Sequence, residues 1–147
     1  MRRLALEGSS QMEVREAAIG VLRQAGVPTH NPAAETAALF RFVRDRVRFT
    51  GDIVGVETLQ GPRYTLHVMA GDCDDRAVLL ASLMRSVGIP AELAFRVVAA
   101  NPRAPRSFSH VYVTAKLNGK TVALDPTYPT NVPGVEPPHS RVGDFPL

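Results

Sequence analysis

The chain has 147 residues, 45% of them hydrophobic and 21% charged, which is ordinary for one globular domain and long enough to bury a core. No apolar run approaches the roughly 18 residues of a membrane span, and the basic start Met1-Arg2-Arg3 lacks the apolar stretch of a secretory signal, so a cytoplasmic chain with no signal peptide and no membrane partner is expected. The net charge of +3 includes a helical stripe of Arg41, Arg44 and Arg48 with Arg46 beside it; lacking interleaved aromatics, it reads as a solvated face and argues against a nucleic-acid partner.

In chain order, Val14, Ala17, Ala18, Val21 and Leu22 recur at helical spacing and predict a helix over Gln11–Ala25, stopped by Gly26-Val27-Pro28. A second helix is predicted from Pro32 or Ala33 to about Arg48, with Ala37, Phe40, Phe42, Val43 and Val47 supplying apolar surface. Thr50 to Ala70 is punctuated by Gly51, Gly55 and Gly61-Pro62 and reads as a loop with short elements. Cys73 to Val87 is strongly helical, and Gly88-Ile89-Pro90 ends it. Strands follow at about Ala91–Ala99, Ser109–Leu117 and Lys120–Asp125. Asn118-Gly119 signals a two-residue hairpin turn, because both positions tolerate positive φ. The tail from Pro126 carries five further prolines, which stiffen it and keep it out of the strand ladder. It is expected either to wrap the surface beside the site, with Tyr128 and Phe145 buried as anchors, or to remain a disordered terminus.

The only cysteine, Cys73, stands in Gly71-Asp72-Cys73-Asp74-Asp75-Arg76, where a loop becomes a helix. A single cysteine excludes an intramolecular disulfide and suits a reducing compartment. The thiolate is the form that attacks a carbonyl carbon, and a helix N-terminus and a nearby imidazolium both favour it. Downstream, Ser109-His110-Val111-Tyr112-Val113 places a histidine on a strand, and Val122-Ala123-Leu124-Asp125-Pro126 ends the next strand in an aspartate.

The hairpin makes this order geometric. With Asn118 and Gly119 as the turn, Leu117 faces Lys120 and Asp125 stands opposite Tyr112. His110, Tyr112 and Asp125 then share a face, and His110 and Asp125 are diagonal neighbours with Cβ atoms roughly 7 Å apart or somewhat less. A slip of one residue would part them. Cys73 is then the nucleophile, His110 the ion-pair partner and proton donor to the leaving group, and Asp125 the residue that orients the imidazole. Backbone N–H groups at the helix start are expected to be open to an oxyanion.

Asp72 and Asp75 have capping-box spacing, which outweighs calcium or another hard cation because no spaced loop of oxygen ligands follows. Zinc at Cys73, His110 and an acid is weaker still without a close-spaced ligand pair, so no metal and no cofactor are expected. His30 reads as a turn residue, His67 as a surface or packed histidine near the cleft, and His139 as part of the tail.

The stretch from Gly71 to Ala91 resembles the cysteine helix of the transglutaminase-like superfamily, including its Gly-Ile-Pro-Ala exit. Phe108-Ser109-His110-Val111-Tyr112-Val113 resembles that family's histidine strand, and Leu124-Asp125-Pro126-Thr127 its aspartate motif. The resemblance spans about residues 33 to 128 and implies a papain-like α+β core. In that core, N-terminal helices and the cysteine helix pack on a small antiparallel sheet, in one domain over 1–147 with 126–147 as its tail. It also implies a Cys73-His110-Asp125 triad and acyl transfer on amide bonds. The chain has no tryptophan, so the indole at the oxyanion site of animal transglutaminases has no counterpart. Gln60 is the candidate side-chain donor in its place, as a glutamine is in papain-like enzymes, although it also fits an ordinary loop. The domains that flank the core of those transglutaminases are missing from this chain, so calcium regulation and protein crosslinking are not expected.

The expected function is cysteine-dependent hydrolysis of an amide bond, peptidase or isopeptidase in type, or acyl transfer, through a thioester on Cys73 and with a peptide or protein substrate. The compact form looks most like small bacterial or phage members. The alternative is a noncatalytic peptide-binding module that retains the triad, with an assembly partner in a phage particle and hence a virion-associated location.

Overall fold

A computed structural model describes residues 1–51 and 59–147. Its described residues form helices α1 (Arg2–Ser9), α2 (Met12–Gln24) and α3 (Pro32–Arg46), a two-residue strand β1 (Arg48–Phe49), helix α4 (Pro62–Val68), strand β2 (Ala70–Gly71) and helix α5 (Cys73–Ser86). Strands β3 (Glu92–Val98), β4 (His110–Leu117), β5 (Lys120–Leu124) and β6 (Val142–Pro146) complete the order.

Helix α5 is the centre of the molecule because its middle, Ala77 to Met84, has a single serine among apolar residues and so no polar side to show to water. Ala77 through Ala81, Leu83 and Met84 are all fully buried. A helix that is apolar all round must be covered all round. Helices α1 to α4 pack on it from one side and β4 from the other. Truncating one of its buried leucines to alanine would cost about 2–5 kcal/mol. Of its two buried hydroxyls, Ser82 donates to the Val78 carbonyl at 2.7 Å and reaches the Ala5 carbonyl of α1 at 3.3 Å, and Ser86 donates to the Leu83 carbonyl at 2.8 Å, so both are satisfied.

The sheet has the order β5-β4-β3-β6, with every neighbouring pair antiparallel. Asn118 and Gly119 form the tight turn with φ of 50° and 78°, and Leu117 pairs with Lys120 as expected. One face of the sheet, through Leu93, Phe95, Val111, Val113, Ala115 and Leu124, joins the main core against α5. The other face holds a smaller apolar cluster of Val98, Tyr112 and Ala123. His110 is the first residue of β4 and Asp125 follows the last residue of β5, so both stand at one end of the sheet.

The structure departs from the sequence expectations, or sharpens them, in four places. Residues Arg2–Ser9, for which the sequence predicts no element, are helical and seat Ala5 in the core. Within the stretch expected to be a loop with short elements, one short element is α4, whose start Gly61-Pro62 marks although the sequence alone does not place it there, proline occupying a first-turn position whose missing N–H costs nothing. The short strands on either side of α4 pair in parallel, Arg48 with Ala70 and Phe49 with Gly71, and α3 therefore stops at Arg46. The reading of Gly55 lies outside the described residues.

The fourth difference is the tail. It does join the ladder: β6 pairs with the open edge of β3, Phe145 opposite Phe95 and Val142 opposite Val98. Most of the prolines end at Pro138, and Val142-Gly143-Asp144-Phe145 keeps the N–H groups an edge strand needs; Pro146 sits at its last position, where an edge tolerates it. Tyr128 and Phe145 are 53% and 57% exposed, so neither is the buried anchor expected of it. The tail is held by charge instead. The Arg96 guanidinium donates to both Asp144 carboxylate oxygens at 2.7 and 2.9 Å and to Glu136 at 2.7 Å.

Candidate active site

The loop-to-helix junction at Cys73 is fixed by its acids. Asp72 caps α5, its carboxylate accepting from the backbone N–H groups of Asp74 and Asp75, while the Asp75 carboxylate accepts from the Asp72 N–H. This is the expected capping box, and it also answers the oxyanion expectation. The first-turn amides of Asp74 and Asp75 are already taken, so they are closed to a substrate oxygen. The Cys73 N–H makes no hydrogen bond among the described residues and is the helix-start donor that remains.

Asp75 makes a further link that places Gln60. Its second carboxylate oxygen accepts from the Gln60 backbone N–H at 2.7 Å, docking that residue against the first turn of α5. The side-chain oxygen of Gln60 lies 3.4 Å from the Thr65 hydroxyl, whose one hydrogen it shares with the Gly61 carbonyl at 3.3 Å.

Cys73 is half-buried. Its sulfur lies against the backbone N–H of Val111, the residue after His110, so the thiol meets the start of β4. The His110 Nε2 atom is 2.9 Å from the Asp125 carboxylate, as the hairpin register requires. Because Nε2 faces Asp125, Nδ1 is the ring nitrogen left for another partner. Asp125 is fully buried, and its other oxygen accepts from the Thr127 N–H at 3.1 Å, so the carboxylate that aims the imidazole is itself held. The rings of Tyr112 and Tyr128 flank His110 at centroid distances of 6.0 and 6.2 Å.

The thiol departs from expectation. Burial pushes Cys73 up to about 12, and the Asp74 charge pushes the same way, against a smaller opposing effect of the Val111 N–H. The thiol donates to the Asp74 carboxylate at 3.6 Å. The Cys73 thiol therefore holds its proton at neutral pH rather than standing as the expected thiolate, because desolvation and the adjacent carboxylate outweigh the helix dipole. Asp72, Cys73 and Asp74 also bring three ligand-type atoms within 4.8 Å of one another; two of these residues already serve the cap and the thiol.

One residue of the motif passed unnoticed in the sequence. Arg76 is 2% exposed and donates to three main-chain carbonyls, Val43 at 3.0 Å, Arg44 at 2.8 Å and Thr127 at 3.0 Å. Burial lowers its pKa, and the nearby charge of Asp125 raises it in partial compensation. The fork thus ties the end of α3, the cysteine helix and the chain that leaves Asp125. Arg44 is likewise no solvated stripe residue: it pairs with Asp45 at 2.6 Å and donates to the Asn131 carbonyl at 2.7 Å, while Asn131 donates to the Asp125 carbonyl. Arg41, Arg46 and Arg48 are exposed as expected. His30 takes the turn conformation with φ of 61°, His67 is exposed on α4, and His139 bonds the Pro137 carbonyl in the tail. No described helix is long and apolar enough to cross a membrane.

Comparison with known proteins agrees with this architecture. A candidate cysteine protease from Cytophaga hutchinsonii superposes with a TM-score of 0.59 at 16% identity, over 91% of this chain and 52% of its own. A candidate protease from Parabacteroides distasonis gives 0.60 at 15% identity, over 83% of this chain and 25% of its own. Legionella pneumophila LapG gives 0.60 at 13% identity, over 99% of this chain and 80% of its own. The chain thus spans about half the length of the first of these and a quarter of the second. No curated protein matches it in sequence. The model of the transglutaminase-like superfamily matches residues 20–126, which include Cys73, His110 and Asp125, and the chain belongs to that superfamily.

Proposed function

We propose that the protein is a cysteine-dependent amide hydrolase of peptidase or isopeptidase type. The observation that carries this reading is the 2.9 Å contact between His110 and the buried Asp125, made at the end of β4 that the Cys73 sulfur touches. A carboxylate held by the Thr127 N–H and aimed at one imidazole nitrogen prepares the other for proton transfer. The neutral thiol assigns His110 the role of general base. As the Cys73 sulfur bonds to the carbonyl carbon, its proton passes to Nδ1. That proton then goes to the leaving nitrogen as the C–N bond breaks, leaving a thioester. Water attacks the thioester, giving a proton to Nδ1, and the thiol leaves with it to release the acid. An amine in place of that water gives acyl transfer. The Cys73 N–H, with Gln60 as the second donor, receives the developing oxyanion.

The raised thiol favours a second reading, a noncatalytic module that uses the same cleft to bind a peptide. Incubating wild-type protein and Cys73→Ala with a mixture of peptides and following cleavage by mass spectrometry separates the two. The hydrolase reading predicts cleavage by wild type alone, with an acyl adduct on Cys73 in acid-quenched samples. Cleavage that survives in Cys73→Ala, or a wild type that cleaves nothing and carries no adduct, would overturn it.

A further inference from the structure

Beside the triad lies a pocket of about 750 Å³, built where the chain after β3 meets the tail before β6. That volume falls within the range of about 300–1,000 Å³ typical of ligand sites and has room for a bulky side chain with its flanking backbone. Its walls are mainly apolar, with Ala99, Ala100, Pro105, Val135 and Pro138 facing Tyr128. Tyr128 belongs to both sites, since its ring also stands 6.2 Å from that of His110.

The pocket is preformed rather than gathered around a ligand. The Ser140 hydroxyl donates to the Pro105 carbonyl at 2.7 Å, and the Ser140 N–H donates to the Ala99 carbonyl at 3.1 Å, joining its two walls. Glu136, its one acid, is already paired with Arg96 at 2.7 Å and so does not call for a cation. The segments that form the walls carry three exposed arginines, Arg103, Arg106 and Arg141. No ion pair among the described residues engages any of the three; the Arg141 guanidinium donates only to the Arg106 carbonyl, at 3.1 Å, and lies over the Phe108 ring. An apolar well in strongly basic surroundings fits a chain segment that is apolar at one position and acidic beside it.

The geometry points to this pocket as the subsite that seats a large apolar side chain of a peptide substrate, with an adjacent carboxylate of that peptide meeting the arginines. The assignment rests on the hydrolase reading of the neighbouring triad. It names the substrate class: peptides with an aromatic or long aliphatic residue next to an acidic one, close to the scissile bond. Exposed wall residues such as Val135, 42% exposed, determine this preference without taking part in the chemistry.

The test uses the full-length Cys73→Ala protein, labelled with ¹⁵N, and two blocked peptides, acetyl-Gly-Phe-Glu-Gly-amide and acetyl-Gly-Gly-Glu-Gly-amide. The phenylalanine peptide should shift the amides of Ala100, Tyr128, Val135 and Ser140 and bind at least about tenfold more tightly than the glycine peptide. Adding Val135→Glu, at an exposed position whose substitution leaves the rest of the spectrum in place, should abolish that difference. Replacing the peptide's glutamate by lysine should weaken binding. Equal affinities, absence of shifts at these amides at millimolar peptide, or a difference that survives Val135→Glu would overturn the subsite. Cleavage by the wild type is measured in parallel. Cys73-dependent cleavage with no apolar preference sinks the subsite alone, whereas pocket binding with no cleavage of any peptide sinks the hydrolase and leaves the pocket.

Discussion

At the scale of single residues, the proposed chemistry turns on how a thiol that is neutral at rest becomes a nucleophile. Desolvation is the largest effect on Cys73 and comes with the packing of α5; the Asp74 charge is the next, and its carboxylate is not one of the two that make the capping box, which belong to Asp72 and Asp75. Asp74→Asn should therefore leave the helix start intact and bring the thiol down from about 12. A drop of about one unit multiplies the thiolate fraction at neutral pH by about ten, and the lower nucleophilicity of a less basic thiolate gives back roughly a factor of three. A net rise of about threefold in iodoacetamide labelling at pH 8 is the expected outcome, and an unchanged rate would show that Asp74 does not hold the thiol up. The same shift bears on stability. Unfolding lets the thiol ionise at its ordinary 9.0, whereas the folded protein keeps its proton to about 12. The stabilisation this contributes is present below about pH 9 and is lost as pH rises through that window. Urea unfolding of wild type should accordingly weaken more steeply between about pH 9 and pH 12 than that of Cys73→Ala; parallel curves would count against the raised value.

At the scale of elements, what was legible in the sequence was local, and what was not depended on distant partners. The hairpin could be read because Asn118-Gly119 fixes its own turn, and register then follows with period two as far as His110 and Asp125. The capping box could be read because Asp72 and Asp75 satisfy each other across a single turn. In contrast, β6 depends on the open edge of β3, and nothing within Val142–Pro146 announces that edge. Helix α1 is short, and its burial of Ala5 depends on α5 more than seventy residues away. Arg76 reads as one more charge in an acidic run until the carbonyls of α3 are seen around it. Gly71 is a case in which the motif is local but its reason is spatial. A Cβ there would stand 2.6 Å from the Asp75 Cβ and 2.9 Å from its carboxylate. Gly71→Ala should push Asp75 off both the Asp72 and the Gln60 N–H groups, destabilising the protein by about 1–3 kcal/mol and lowering activity more than stability alone explains. Wild-type melting temperature and cleavage rate in this variant would refute the role given to the close approach.

At the scale of the whole molecule, the proposed triad is drawn from distant parts of the chain, which packing of α5 on β4 and pairing of β4 with β5 bring together. Cys73 starts the central helix, His110 starts β4, and Asp125 leaves β5 into the tail. The buried Arg76 fork joins the first of these parts to the last. It grips the α3 carbonyls of Val43 and Arg44 on one side and the Thr127 carbonyl, two residues past Asp125, on the other. Replacing it with Met removes the donors of three carbonyls and the positive charge beside a fully buried carboxylate, a change that typically costs about 3–5 kcal/mol. Lysine keeps the charge, but a single ammonium on a flexible stem cannot reproduce a planar fork with partners on opposite sides. Arg76→Lys should therefore fold, melt several degrees lower, and lose more in kcat than in KM, because the Asp125 carboxylate is no longer held in line with His110. Arg76→Met should lose most of its stability as well. If Arg76→Lys matched wild type in melting temperature and kcat, the fork would be an ordinary buried cation rather than the part that ties the cysteine helix to the chain leaving Asp125.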